Sequence, residues 1–315
     1  MAAGSAGLAS GRGRGNLATC PPYNDMAARA VILLKAIRFE HTAFALPFAL
    51  TATFVAAMGW PRPWTLLWIL AAMVGARTAA MAFNRIADLP YDRANPRTAD
   101  RALVTGALTT PQLWVVLGSG AAVYFLSAGM LNRLALSLSP FALAVLLGYS
   151  YTKRFTVWTH WILGFCLGLA PVGAWIGVRG RFELPPLILC LAVTTWTAGF
   201  DIIYACQDVQ FDRKQGLFSL PARWGVRRAL VISTVNHVLT VWLLWLFGEA
   251  AHLGALYFAG VVALIPVLWY EHHVVRPEDL SRAEIASFFA NGVFSIVLFL
   301  FAAADVILVS SKLRI

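Results

Sequence analysis

Long apolar stretches alternate with short polar segments along this chain of 315 residues. A membrane-spanning helix needs roughly 20 mostly apolar residues, and about nine stretches approach that length. Backbone groups inside a bilayer must be hydrogen-bonded within their own segment, so these stretches are predicted to be helices. They lack the alternation of apolar and polar residues that is typical of barrel strands. The predicted spans cover 43–60, 64–83, 111–131, 134–152, 161–178, 186–205, 229–248, 252–270 and 285–309.

The composition agrees with a location in the membrane. Hydrophobic residues make up 59% of the chain and charged residues 13%, whereas soluble domains carry about 25% charged residues. The mean hydropathy is +0.70. A soluble fold of this size would expose much of its apolar surface to water, and lipid removes that conflict. The predicted fold class is therefore an all-α, polytopic membrane bundle.

The N-terminal segment 1–30 differs from the rest of the chain. It is rich in Ala, Gly and Arg and has no apolar core of the kind that a signal peptide requires. We interpret it as a disordered tail or as an over-extended start before Met26, with a basic targeting segment as a weaker alternative. Residues 31–315 are predicted to form one membrane domain. None of the four cysteines is part of a C-x-x-C pair, so no zinc site is predicted.

The formal net charge of +10 is distributed unevenly among the connecting segments. With nine spans, most basic residues fall in the N-terminus and in the loops that follow even-numbered spans. The positive-inside rule then places these segments in the cytoplasm, and this distribution argues against binding to nucleic acid. The opposite set holds only six of the 25 basic residues: Arg62, Arg133, Arg179, Arg181, Lys312 and Arg314.

A first acidic motif follows the second predicted span. Asn84, Asp88 and Asp92 are spaced by four residues, which places their side chains on one face if the helix continues that far. Pro90 makes this doubtful, because its ring would clash with the carbonyl of Ile86 and kink or end the helix. We therefore expect Asp92 to lie in the loop just beyond the helix.

A second acidic motif follows the sixth predicted span. Asp201, Tyr204, Asp208 and Asp212 fall within a stripe of roughly 80° on a helix. Tyr204, Asp208 and Asp212 lie 120 positions after Asn84, Asp88 and Asp92. Four predicted helices separate the motifs, so both return to the same membrane side. This echo is typical of a duplicated helix block in which two halves meet at one site, although convergence on one ligand would also produce it.

Carboxylates at a membrane boundary are costly, and like charges at spacing four destabilise a helix. No other partner for these oxygens is evident from the sequence. Oxygen ligands beside a substrate phosphate suit Mg²⁺, and the neighbouring basic residues suit phosphate itself. A solvated, charged loop is the alternative for either motif alone. The basic neighbours are Arg93, Arg97, Arg101, Arg213 and Lys214.

The motifs resemble those of the UbiA superfamily of intramembrane prenyltransferases. That family has the pattern N-x-x-x-D-x-x-x-D in its first loop and D-x-x-x-D in its second. Segment 199–225 is similar to the 4-hydroxybenzoate polyprenyltransferase-like subgroup, which includes menaquinone enzymes of the futalosine route. Segments 38–47, 95–98 and 149–154 are also family-like. The residues that match the two acidic patterns are Asn84, Asp88, Asp92, Asp208 and Asp212.

The resemblance implies a bundle of nine transmembrane helices around a central cavity. It implies that Mg²⁺ held by the five motif residues binds a polyprenyl diphosphate, that an aromatic acid is the acceptor, and that membrane lipid surrounds the prenyl tail. The expected location is a bacterial inner membrane with the site facing the cytoplasm. The expected catalytic residues are Asp88, Asp208 and Lys153. The expected substrate-binding residues are Asn84, Arg97, Arg213, Tyr204, Tyr149, Arg38 and His41.

Several alternatives remain open from the sequence. The acceptor is expected to be 4-hydroxybenzoate or a similar aromatic carboxylate in ubiquinone or menaquinone synthesis, and 1,4-dihydroxy-6-naphthoate is the main alternative. Lys153 is as well explained as a topology anchor as by contact with diphosphate, and Asp208 is one candidate for receiving the ring proton. An ion-coupled transporter is a remote alternative, because its carboxylates would lie in mid-span and not at one membrane face.

Overall fold

The computed structural model describes residues 32–33, 42–277, 280 and 283–312, and within these ranges the chain is almost entirely helical. A 3₁₀ turn, Cys206–Asp208, joins the sixth helix to the seventh, and another, Pro96–Thr98, follows the second helix. The α-helices are α1 (Thr42–Ala57), α2 (Pro63–Ala94), α3 (Thr110–Leu131), α4 (Arg133–Thr152), α5 (Thr159–Arg179), α6 (Leu184–Ala205), α7 (Val209–Lys214), α8 (Leu220–Trp224), α9 (Val226–Ala250), α10 (Ala255–Val274) and α11 (Ala283–Lys312).

The prediction of an all-α membrane bundle is confirmed. Eight segments of the described chain are helical, long and apolar enough to cross a membrane. The first predicted span corresponds to α1, whose 16 residues fall short of the roughly 20 that a full crossing needs. The nine predicted spans are therefore eight long helices and one shorter apolar helix.

The helices form two groups. In the first group α2 packs along α3, and α4 lies beside both of them. In the second group α5, α6, α9, α10 and α11 pack in sequence around a core that also includes α1. Trp196 of α6 is fully buried there between Phe48 of α1 and Phe294 of α11, and its ring stacks on Phe294 at 5.3 Å. A cavity remains between the two groups.

Two glycines allow α5 and α6 to pack backbone against backbone. A Cβ atom at Gly164 would lie 2.2 Å from the carbonyl oxygen of Thr194, and one at Gly168 would lie 2.7 Å from that of Cys190. This four-residue spacing of glycines is the pattern that lets membrane helices approach closely. The contact holds α5 and α6 at a fixed separation, and these two helices form one wall of the cavity.

Helix α2 passes through Pro90 and ends four residues later, so the expectation that Asp92 lies in a loop is wrong. Proline removes one backbone hydrogen bond, but contacts from outside the helix hold its last turn. Arg101 binds the Asp92 carboxylate, and the Thr98 hydroxyl donates to the Asp92 carbonyl at 3.0 Å. The guanidinium of Arg154 also donates to the carbonyl of Ala87, at 2.6 Å. These tertiary contacts offset the loss at Pro90.

A carboxylate of α11 caps the start of α10. Asp305 accepts hydrogen bonds from the backbone N–H groups of Gly254, at 2.7 Å, and Tyr257, at 3.3 Å. The first N–H groups of a helix have no partner within it, and a negative charge is favoured there. Asp305 therefore joins two helices.

The close contact between α5 and α6 generates a stability prediction. Gly164→Ala should lower the unfolding midpoint in detergent, because overpacking of this kind costs about 1–3 kcal/mol. The matched control is Gly148→Ala in α4, where an added Cβ would meet no heavy atom within 4 Å. That control should be neutral or slightly stabilising, because alanine favours helix by up to about 1 kcal/mol over glycine. Equal midpoints for the two variants would contradict the packing described.

Candidate active site

The cavity between the two helix groups has a volume of about 1250 Å³. Its lining changes character along its length. One end, beside the C-terminal ends of α2 and α6, is lined by charged and polar residues, and the remainder is lined mainly by apolar side chains. The polar lining includes Asn84, Asp88, Arg97, Arg101, Tyr149, Lys153, His160, Asp201, Tyr204 and Asp208. The apolar lining includes Ile69, Met73, Leu131, Leu138, Val172 and Ile176.

Arg97 joins the two halves of the polar end. Its Nε and Nη2 donate to the two carboxylate oxygens of Asp208 at 3.1 and 2.7 Å, and its Nη1 donates to the Tyr204 hydroxyl at 2.9 Å. Paired hydrogen bonds between a guanidinium and a carboxylate are strong and fix the orientation of both groups. The side chain of Asn95 accepts from the Arg97 backbone N–H at 3.0 Å and so holds the turn that carries the arginine.

The contacts of Arg97 also stabilise its charge. Burial by itself would lower the pKa of the guanidinium, but the carboxylate of Asp208 and the hydroxyl of Tyr204 raise that pKa above its ordinary value. Arg97 therefore carries a positive charge at the polar end at any pH where the protein is folded.

Asp88 lies across the cavity from this pair. Its carboxylate accepts from the side-chain amide of Asn84 at 2.9 Å, and it lies 3.8 Å from the guanidinium of Arg154. The Arg154 guanidinium also lies over the rings of Tyr91 and Tyr151, at 5.1 and 4.7 Å from their centroids. The side chain of Asp88 is about one-third exposed, and it lines the cavity.

The other two motif aspartates are buried beside the cavity and are not among its lining residues. Arg101 Nη1 lies 2.5 and 2.6 Å from the two oxygens of Asp92, and Lys153 Nζ lies 2.9 Å from Asp212, whose side chain is fully buried. The expectation that the motif oxygens have no other partner is therefore wrong. Each motif aspartate is paired with a basic side chain.

The motif residues do not form a compact acidic cluster. Within the described ranges, no group of three or more His, Cys, Asp or Glu side chains is placed to hold a metal ion. The first motif supplies Asp88 to the cavity and the second supplies Asp208, so the predicted meeting of the two motifs at one site is confirmed. Both aspartates lie at the same end of the bundle, as the Arg97 bridge requires.

Of the remaining predicted site residues, some line the cavity, one is held away from it, and two lie outside the described residues. Tyr149 and Lys153 line the cavity. Arg213 is exposed, and its Nε donates to the carbonyl of Ala222 in α8 at 2.9 Å, so it is held away from the cavity lining. Arg38 and His41 lie outside the described residues.

Sequence reasoning did not select one pair of residues that the structure brings into the cavity. His160 of α5 and Asp201 of α6 are in contact, with His160 Nδ1 at 2.7 Å from Asp201 Oδ2. Asp201 shares a helical face with Tyr204 and Asp208, and that position was the available signal. Nothing in the spacing of the sequence connects His160 to Asp201.

Comparison with known protein families identifies the fold. The family model described as the UbiA prenyltransferase family matches residues 45–293, which is most of the chain. The chain belongs to the UbiA prenyltransferase family. This match covers both acidic motifs and the whole of helices α2–α6, which supply most of the cavity lining, and it confirms the resemblance noted in the sequence.

Curated relatives of this UbiA chain are similar over most of their length. A 4-hydroxybenzoate octaprenyltransferase of Pseudomonas aeruginosa is 28% identical over 256 residues, which cover 81% of this chain and 86% of the relative. Another, from Methylobacillus flagellatus, is 29% identical over 225 residues, covering 71% of this chain and 76% of the relative.

Solved UbiA structures share the architecture. The apo structure of a UbiA homolog from Aeropyrum pernix K1 has a TM-score of 0.74 and 34% identity, and covers 86% of this chain and 98% of its own. A UbiA homolog from Archaeoglobus fulgidus bound to DMAPP and Mg²⁺ has a TM-score of 0.65 and 19% identity, covering 88% and 99%. The second likeness shows the fold alone. The chain is therefore an integral membrane protein with the fold of this family.

The ion pair between Lys153 and Asp212 generates a second stability prediction. Lys153→Met should destabilise the protein by roughly 1–3 kcal/mol, because it leaves a buried carboxylate unpaired while the lysine itself is partly exposed. The double variant Lys153→Met with Asp212→Asn should recover most of that loss, because the asparagine side chain carries no charge. Thermal unfolding of both variants in the same detergent measures the difference. Equal losses in the two would contradict the pairing.

Proposed function

We propose that this chain transfers a polyprenyl group from a polyprenyl diphosphate to an aromatic carboxylate acceptor of the 4-hydroxybenzoate type, in ubiquinone or menaquinone biosynthesis. One observation carries the proposal. A large apolar cavity inside a membrane bundle ends in a charged region where Asp88 and Asp208, from the two motifs, line the same space. The substrate has the same two parts, a charged headgroup and a long hydrocarbon tail.

Basic side chains at the polar end match the charge of a diphosphate. Arg97, Arg101 and Lys153 all line the cavity. Each of them forms an ion pair with an aspartate in the structure. Because guanidinium and ammonium groups bind phosphate oxygens well, the same three side chains can turn to the substrate. Nearby Asn84 and Tyr204 complete the polar lining.

The donor set fits Mg²⁺ in its chemistry. Carboxylate and carboxamide oxygens are hard ligands, and magnesium prefers one or two carboxylates together with substrate phosphates and water. Oδ1 of the fully buried Asp212 contacts Lys153, whereas its Oδ2 has no hydrogen-bond partner in the described part of the chain and so retains capacity for a cation. Two such ions would be held by the residues of the two motifs, Asn84, Asp88, Asp92, Asp208 and Asp212. When bound, they would stabilise negative charge on the departing pyrophosphate.

The apolar part of the cavity suits a prenyl tail. Apolar side chains of the six helices α1–α6 line it, from the polar end towards the far side of the bundle. Phe141 and Phe182 belong to the lining, yet their side chains are 63% and 55% exposed. Part of the wall is therefore continuous with the lipid-facing surface, where the end of a long tail can extend among membrane lipids.

The reaction follows from this arrangement. The bond between C1 of the prenyl group and the diphosphate oxygen breaks, and the leaving pyrophosphate takes the electron pair. Arg97 and Lys153 stabilise its charge. The allylic carbocation that remains is sheltered from water by the apolar lining. A ring carbon beside the phenolic hydroxyl of the acceptor then attacks C1 and loses its proton.

The acceptor itself is assigned by similarity to the curated relatives. Tyr149 is one candidate for contact with the aromatic ring, because it lines the cavity close to the polar end. Arg38 and His41 are further candidates for the acceptor carboxylate. A 1,4-dihydroxy-6-naphthoate acceptor is the alternative, and it would use the same site and the same chemistry.

Metal dependence and product formation test this proposal together. Purified protein in nanodiscs is incubated with radiolabelled polyprenyl diphosphate and each of a panel of aromatic acids, including 4-hydroxybenzoate and 1,4-dihydroxy-6-naphthoate. We expect a prenylated product with one of them, no product in EDTA, and recovery when Mg²⁺ is added in excess. Full turnover in chelator would contradict the role of the metal, and absence of product with every acid would contradict the aromatic acceptor.

We further propose that the polar end faces the cytoplasm of a bacterial inner membrane. The basic residues concentrated in the loops of that end support this orientation. Single cysteines are placed at Ala94, Gly216 and Ser310 in a variant that lacks the four native cysteines. A membrane-impermeant thiol reagent applied to intact cells should label only the position in α11. Labelling at Ala94 or Gly216 in intact cells would place the polar end outside and would reject the orientation.

A further inference from the structure

Asp201 differs in its partner from the four aspartates that match the family pattern, Asp88, Asp92, Asp208 and Asp212. Those four are each paired with an arginine or a lysine. Among the residues that the structure describes, the ion-pair partner of Asp201 is a histidine, His160. Its carboxylate is about one-quarter exposed and lies in the wall of the cavity. Carboxylates within membrane helices are costly and are usually associated with function, so Asp201 is a candidate functional residue.

The hydrogen bonds of His160 define its protonation. Its Nε2 accepts from the backbone N–H of Leu220 at 3.3 Å, so that nitrogen carries no proton. In a neutral imidazole the proton is then on Nδ1, which donates to Asp201 Oδ2 at 2.7 Å. His160 is almost fully buried, at 1% exposure. It therefore orients Asp201 through a hydrogen bond without adding a positive charge of its own.

The position of Asp201 relative to the diphosphate end suits an aromatic acceptor. Asp201 precedes Asp208 by two helical turns, which is roughly 11 Å along the axis. Tyr149 also lines the cavity and is close enough to interact electrostatically with both Asp201 and Asp88. An aromatic ring bound against Tyr149 would therefore have a carboxylate, Asp201, beside it in the lining. In the described chain, Oδ1 of Asp201 accepts no hydrogen bond and is available to a ligand.

We propose that Asp201 is the base that receives the proton of the acceptor ring, with His160 as its positioning residue. The inference rests on the prenyl transfer proposed above. The C1–oxygen bond breaks and pyrophosphate leaves with its electron pair, and the new carbon–carbon bond forms. The ring C–H bond then breaks, its electron pair restores the aromatic system, and the proton goes to Oδ1 of Asp201. His160 continues to donate to Oδ2 throughout.

The contacts of Asp208 make it less suited to the same role. Both of its carboxylate oxygens accept from the guanidinium of Arg97, and in the proposed substrate complex Asp208 is a ligand of Mg²⁺. A proton on Asp208 would therefore compete with a guanidinium or with a metal ion, whereas Asp201 has an oxygen without such a contact. Asp208 therefore acts at the diphosphate, and Asp201 acts at the acceptor ring.

Isotope effects on a ring-deuterated acceptor test the assignment. We expect Asp201→Asn to lower kcat by about 100-fold or more, the range for loss of a general base. In that variant the kinetic isotope effect from deuterium beside the phenolic hydroxyl should exceed the wild-type value, because proton removal becomes slower than the preceding steps. Asp88→Asn is the matched control, since it should lower kcat through the diphosphate without increasing the isotope effect.

Three further measurements separate a loss of proton removal from a loss of folding or of substrate binding. Unfolding midpoints of both variants show that each one folds, and KM for the prenyl diphosphate should stay near the wild-type value in Asp201→Asn. His160→Ala should lower kcat and raise the isotope effect in the same direction but less strongly. Near wild-type turnover in Asp201→Asn, or a slow variant with an unchanged isotope effect, would overturn the proposal. Failure of the wild type to prenylate any acid would instead reject the proposed function.

Discussion

The bidentate contact between Arg97 and Asp208 is the interaction on which the site depends. It connects the turn after α2 to the end of α6, two segments that are more than 100 residues apart in the chain. Tyr204 accepts from the same guanidinium, so one side chain fixes both acidic motifs at one end of the bundle. Four such acid–base pairs neutralise charge at a depth where an isolated carboxylate would be strongly disfavoured. The charged groups that hold the site in shape are therefore the same groups that can bind the substrate.

The helices and the two acidic motifs could be predicted because both signals are local. Apolar stretches of the required length are visible in the sequence, and a spacing of four residues places Asp88 on the cavity face of α2 whatever the rest of the chain does. The meeting of the motifs could also be predicted, because both follow even-numbered spans. These inferences need only the period of the helix and the thickness of the bilayer.

What could not be predicted depends on contacts between distant residues. Spacing along the chain does not pair Asp92 with Arg101, and without that pair Pro90 alone suggested the end of α2. In the same way, a histidine at the start of α5 does not indicate an aspartate on α6, because their contact depends on how closely the two helices pack. Exposed Arg213 lies in a basic cluster like that of Arg97, yet it is held by a backbone carbonyl of α8.

The two walls of the cavity differ in how firmly they are held and in whether they reach the lipid-facing surface. The wall formed by α5 and α6 is fixed by backbone contact at Gly164, whereas the opposite wall includes Phe141, whose side chain reaches the outer surface of the bundle. A prenylated product is too insoluble to leave by the aqueous end, so on the proposed function it departs sideways into the leaflet. The product then partitions directly from the protein into the membrane. Its release depends on the fluidity and thickness of the surrounding lipid and not on the volume of the cytoplasm.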